Sequence, residues 1–183
     1  MTESIRKGLT FIAVGFLFTL VNFNLTITMS EAHYSINIMP DFIGWILFFL
    51  AYGKLGRYVR DKVYLKWIPF VMIILTAVLW IVGFMSPAST VIVLQAVSSI
   101  LGALYMFLLF GSLEEIADHY GSSKGSLLTF LKYANLAVSC LILVLSLINV
   151  DISVYAVVGA LGLVLAIITA VILFGLRNDV PEE

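Results

Sequence analysis

The chain predicts an all-α fold, a polytopic bundle of six transmembrane helices with both termini on the cytoplasmic side. Three observations carry this. Of its 183 residues, 62% are hydrophobic and only 11% charged, and the mean hydropathy is +1.11. Soluble domains are about 45–50% apolar and about 25% charged, so this excess cannot be buried in one small water-soluble core. The apolar residues fall into six runs, at 8–28, 40–54, 66–85, 89–111, 127–149 and 153–175, and all but the second have ample length for a hydrocarbon core of about 30 Å. Finally, six spans put all ten basic residues on one side: Arg6, Lys7, Lys54, Arg57, Arg60, Lys62, Lys66, Lys124, Lys132 and Arg177. Glu31, His33, Asp41 and Asp151 fall on the other. Lysine and arginine mark cytoplasmic loops, which orients the chain.

The same totals exclude other classes. A net charge of −1 and a pI near 6.1 leave no basic field to hold nucleic acid. With Cys140 as the one cysteine, neither an intrachain disulfide nor a cysteine-pair metal site can form. The first run is too long for a signal peptide and is flanked by Asn22 and Asn24 instead of a small-residue cleavage site, so it reads as a retained span. Runs that stay apolar for 20 residues also differ from barrel strands, which alternate over about 10.

After the first span the pattern changes. Leu25 to Thr28 and Tyr34 to Ile38 alternate with period two and are rich in β-branched residues, with Ser30 to His33 as a polar turn between them. This pattern reads as a short β-hairpin on the outer face; the alternative is that span one continues to Met29 and a plain loop follows. Pro40 opens the second helix at a first-turn position, where its missing N–H is harmless. Asp41 then lies where helix dipole and free N–H groups stabilise a carboxylate. That is a sufficient structural role, but a carboxylate near Asn22, Asn24 and Asn37 can also bind a cation or an amine. The block Ile36-Asn-Ile-Met-Pro-Asp-Phe-Ile-Gly-Trp-Ile-Leu, preceded by Asn22-Phe-Asn, resembles a family of small, uncharacterised six-span membrane proteins of Gram-positive bacteria. The resemblance covers about 35 residues and implies a bacterial cytoplasmic membrane. It implies no activity and carries over no catalytic or binding residue.

The second run is short, and its link to the third interleaves Lys54, Arg57, Arg60, Lys62 and Lys66 with Tyr58, Tyr64 and Trp67. Such a loop orients and anchors the chain on anionic headgroups, or docks a protein partner. The fourth span carries Ser98-x-x-x-Gly102 and Ser99-x-x-x-Ala103, and the sixth carries Gly162, Ala166 and Ala170, small residues that let helices approach in lipid. Past the fourth span, Glu114, Glu115, Asp118 and His119 crowd one helical end. Acids are disfavoured at a helix C-terminus, so the basic loop at 54–66 is the expected partner of Glu115. Gly121 to Gly125 reads as a flexible turn, with Ser126 capping the fifth span. Gln95, Asn135, Ser139, Cys140 and Ser146 can bond across helices or line a cavity. Lys132 lies near enough to the cytoplasmic end to snorkel, so no titratable relay crosses the bilayer as a proton pump requires.

Three function classes follow. The first is a small-molecule or lipid binding or transport module, with Asp41, Asn22, Asn24, Asn37 and Gln95 as its polar lining. The second is an accessory, sensory or protective subunit acting through Arg57, Arg60, Lys62 and Glu115. The third, an enzyme, is disfavoured because His33 and Asp41 fall on one side and Glu115 and His119 on the other. No cofactor or metal site is expected.

Overall fold

A computed structural model describes residues 2–20, 24–29, 32–37, 40–56, 58–59, 62–85, 92–147 and 152–181. Among these, the elements run α1 (Thr2–Leu20), β1 (Asn24–Met29), β2 (Ala32–Asn37), α2 (Asp41–Leu55), α3 (Lys62–Met85), α4 (Ile92–His119), α5 (Gly125–Leu147) and α6 (Ile152–Asp179). Four helices are long and apolar enough to cross a membrane, over Val63–Val82, Val93–His119, Gly125–Leu145 and Val157–Asp179. α1 and α2 are different. α1 carries Glu3, Arg6 and Lys7 within its 19 residues, and α2 has only 15 residues, a rise of about 22 Å at 1.5 Å per residue.

Several helix boundaries depart from the apolar runs. The run at 8–28 is not one helix: α1 ends at Leu20, and 24–29 pairs antiparallel with 32–37 from Asn24↔Asn37 to Met29↔Ala32. Asn24, Thr26, Ile27 and Thr28 are weak helix formers, and the last three suit a pleated strand. Pro40 is the N-cap of α2, in extended geometry, with Asp41 in the first turn. It therefore stands one residue before the expected first-turn position. α3 starts at Lys62 and holds Pro69 inside the helix. α4 runs past 111 to His119 and α6 past 175 to Asp179. Hydropathy marks where a lipid surround would end, whereas backbone hydrogen bonding continues into the charged turns beyond it.

Each helix packs against its neighbour in sequence, and α6 closes back on α1. An aromatic cluster from α1, α2 and α4 fills the centre. Trp45 and Phe48 meet edge-on with ring centroids 5.4 Å apart, Trp45 meets Tyr105 at 5.3 Å, and Phe16 meets Phe48 at 5.4 Å and Phe110 at 5.7 Å. Edge-on pairs at these separations suit the ring quadrupoles.

The tightest crossing is that of α1 on α2. A Cβ on Gly44 would stand 2.8 Å from the Gly15 carbonyl oxygen and 2.5 Å from Thr19 Cγ2. A Cβ on Gly15 would meet the Phe48 ring at 2.8 Å, and one on Gly8 would meet Leu55 Cγ at 2.6 Å. The small-residue stripes singled out in the sequence behave differently. Gly162 has no neighbour within 4 Å of its Cβ position, although Ala166 and Ala170 are buried, and Gly102 makes only an ordinary 3.8 Å contact with Trp45.

Burial is uneven along the bundle. The buried residues of α3 and α5 lie mainly in their first halves (Leu65, Ile68 and Met72; Leu128 and Leu131), and those of α4 and α6 mainly in their second (Leu109 to Ala117; Ala166 to Leu176). The helices alternate in direction, so these halves share one end, the end that holds the described basic residues. At the opposite end Val93 is 76% and Val157 62% exposed, and Ile100, Leu104, Val144 and Leu161 are exposed as well.

The α1–α2 crossing is tested by a pair of substitutions. Gly44→Ala must push two backbones apart and is expected to destabilise the protein by about 1–3 kcal/mol. Gly53→Ala has open space at its Cβ position and should be neutral or stabilising by up to about 1 kcal/mol. Thermal unfolding in a mild detergent reads both.

Candidate functional site

Two regions have the shape and chemistry of a site. The first is the charged end. α4 terminates in a Schellman arrangement: Ser122 N–H donates to the Ala117 carbonyl at 2.8 Å and Gly121 N–H to that of Asp118 at 3.1 Å, with Gly121 at φ 63°. A left-handed residue at this position ends helices, and glycine takes that conformation without a Cβ penalty. The segment read as a turn is one, and these bonds close its start. Ser122 Oγ accepts the Lys124 N–H at 3.2 Å and donates to the Asp179 carboxylate at the end of α6. Ser126 is not the cap of α5. It stands inside a first turn that begins at Gly125, where a Cβ would meet Asp118 Oδ1 at 2.8 Å.

The acids of α4 divide between two directions. Glu114 turns to α5 and accepts the Thr129 hydroxyl at 2.6 Å. Glu115 and His119 turn instead to the α2–α3 connection, where they line a pocket of about 190 Å³ with Tyr58, Ile116 and Tyr120. At the N-terminus of α1, the Lys7 ammonium beside Glu3 holds that exposed carboxyl below its usual range.

The second region is a groove between α4 and α5, in the more exposed part of both helices. Its volume is about 410 Å³, and its walls are Ser99, Ile100, Ala103, Leu104 and Phe107 of α4 with Leu136, Ser139, Cys140 and Leu143 of α5. Small-molecule pockets of about 300–1,000 Å³ are lined in the same manner, mostly apolar with few polar groups. The Ser99-x-x-x-Ala103 pair opens this groove instead of sealing a helix–helix seam. Small side chains leave room between the two helices. At the end of the groove nearest the charged end, the Lys132 ammonium lies 4.5 Å from the centroid of the Phe107 ring and 5.7 Å from that of Tyr133.

Four of the five residues expected to line a site fall among the described ones. Asn24 and Asn37 are register partners at the open end of the strand pair, and Asp41 occupies the first turn of α2. Gln95 lies exposed on α4, its carbonyl accepting the Ser99 hydroxyl at 2.9 Å, and is not a wall of the groove. Asn22, Arg57 and Arg60 lie outside the described residues, and Lys62 opens α3. Among the described residues no group of three or more His, Cys, Asp or Glu side chains is placed to hold a metal ion. Ser139 and Cys140, expected to bond across helices or line a cavity, do line the groove, and Ser99 and Ala103, expected to pack a seam, form its other wall; Ile100, Leu104 and Phe107 carry no signal in the sequence that separates a groove from a packed face. The chain matches no family model, no curated protein and no solved structure.

The Glu114–Thr129 bond joins α4 to α5 between the charged turn and the groove. Thr129→Val leaves a half-buried carboxylate short of a donor and should lower stability by about 1–3 kcal/mol, whereas Thr129→Ser should stay close to the parent. Detergent unfolding midpoints separate the two.

Proposed function

We propose that this chain is a six-span protein of a bacterial cytoplasmic membrane, with both termini cytoplasmic, that binds a small apolar molecule or lipid within the bilayer, for holding or for transport. The observation that carries this is the apolar groove between α4 and α5, two helices with the length and composition to span. The one-sided distribution of lysine and arginine supports the orientation. The resemblance around Pro40 and Asp41 supports the bacterial membrane. α1 and α2 complete the six spans in this reading because the α1–α2 crossing packs them into the same bundle. The groove offers one thiol and two hydroxyls with no acid or base among its walls, so the role is binding and not catalysis.

A second reading has one observation in its favour. The pocket of Tyr58, Glu115, Ile116, His119 and Tyr120 sits between the basic loop and the acidic end of α4. An accessory subunit would present such a surface to a protein partner, and the basic loop at 54–66 would also rest on anionic headgroups.

Native mass spectrometry of protein extracted gently from its own membrane separates these readings. A binding module retains an apolar molecule of defined mass, and Ala103→Trp, which fills the groove, removes it. A co-purifying protein with no small-molecule adduct favours the accessory subunit. The orientation has its own check. With Cys140→Ser as background, a cysteine placed at the exposed Ser123 should react with an impermeant maleimide only once the cytoplasmic face is opened.

A further inference from the structure

The groove has a charged rim as well as an apolar wall. Phe107 contributes to both, because its ring lines the groove and also carries the Lys132 ammonium. Gly111, one turn further along α4, lies beside that ammonium, its Cβ position an ordinary 3.5 Å contact from Lys132 Nζ. Among the described residues, no carboxylate forms an ion pair with Lys132. Its contacts are the two ring faces, which favour a cation but do not neutralise it. Helical side chains lean toward the N-terminus of their own helix, and α5 begins at the charged end, so the lysine stem leads from the groove toward the region where headgroups would lie. The arrangement is thus an apolar slot within two candidate spans, closed at its interfacial end by a cation that makes no ion pair among the described residues, with the Glu114 carboxylate held on Thr129 one turn away.

We propose that the groove holds an acyl chain of an anionic glycerophospholipid, with the lipid phosphate on Lys132. This rests on the binding-module reading and names its ligand class. Charge complementarity selects this occupant over a neutral lipid. A tail alone gains little by leaving the bilayer, since lipid tails are as apolar as the groove wall, and the phosphate–ammonium contact supplies the preference. The four-carbon stem of Lys132 lets the ammonium reach the phosphate while its methylenes stay against Phe107.

The test uses the full chain in vesicles of mixed phosphatidylcholine and phosphatidylglycerol with identical tails, followed by native mass spectrometry after release into a mild detergent. The parent protein should retain phosphatidylglycerol over phosphatidylcholine by about fivefold, the factor that one lysine near a charged surface contributes. Lys132→Gln should bring that ratio close to one, Lys132→Arg should preserve it, and Ala103→Trp should strip both lipids. Cys140, as the one cysteine and a groove wall, gives a readout that needs no substitution. Its alkylation by a membrane-permeant maleimide should be slower in the mixed vesicles than in phosphatidylcholine alone. An unchanged ratio in Lys132→Gln, or equal alkylation rates in the two vesicle types, overturns the lipid assignment. Adducts of some other apolar molecule, lost in Ala103→Trp, would overturn the lipid assignment while sustaining the binding module. A protein bare of every adduct from both its own membrane and the vesicles would overturn both.

Discussion

The α1–α2 crossing sets the rest of the bundle. Gly15 and Gly44 face each other so closely that a single methyl group on Gly44 would overlap the backbone of α1. That approach brings Phe16 into edge-on contact with Phe48, and from there Trp45, Tyr105 and Phe110 complete the central aromatic cluster. In a lipid surround, where water does not drive helices together, close backbone approach and dense van der Waals contact hold helices in place. α2 is the shortest of the described helices, and its register on α1 decides which of its residues reach α4. The remaining helices are arranged around this pair, with α6 returning to α1.

Among α3 to α6 the packing is uneven between the two ends. At the charged end the Schellman turn of α4, its tie through Ser122 to Asp179, and the Glu114–Thr129 bond join α4, α5 and α6 by directional contacts. Toward the opposite end, the wide sides of α4, α5 and α6 are exposed aliphatic residues, and the groove between α4 and α5 lies on this exposed part. A bundle that is tied at one end and loose at the other suits the proposed role: the tied end fixes Lys132 at the rim, and the loose end leaves the slot open to the bilayer. The groove, about 410 Å³ with exposed walls, opens on the outside of the bundle.

Much of this architecture was legible in the sequence because hydropathy has a large, simple physical origin. Runs of 20 apolar residues have few alternatives to helix, and α3 to α6 fall where those runs lie. The helix ends were less legible, since Glu114 to His119 and Arg177 to Asp179 are polar but continue the backbone hydrogen bonding of α4 and α6. The glycines were harder still. Gly102 and Gly162 stand in the patterns associated with close packing, yet Gly15 and Gly44 make the close approach. Spacing within one helix does not say which face meets a partner; that depends on the partner's own small residue, and Gly15 and Gly44 lie on different helices. The groove was illegible for a related reason. Phe107 and Leu136 would look the same in a sealed seam, and only the relative placement of two helices separates them.

The central claim is that the bundle is closed at its charged end and open to the bilayer between α4 and α5. Electron paramagnetic resonance of a nitroxide in vesicles tests this most directly, with the label on Cys140 in the parent and, in a Cys140→Ser background, on a cysteine replacing the buried Ser112. The account predicts a mobile Cys140 label in ready collision with oxygen dissolved in the lipid, and a Ser112-site label that is immobile and shielded. Equal immobility and equal shielding at both sites would mean that α4 and α5 close on each other along their whole length, and would contradict it.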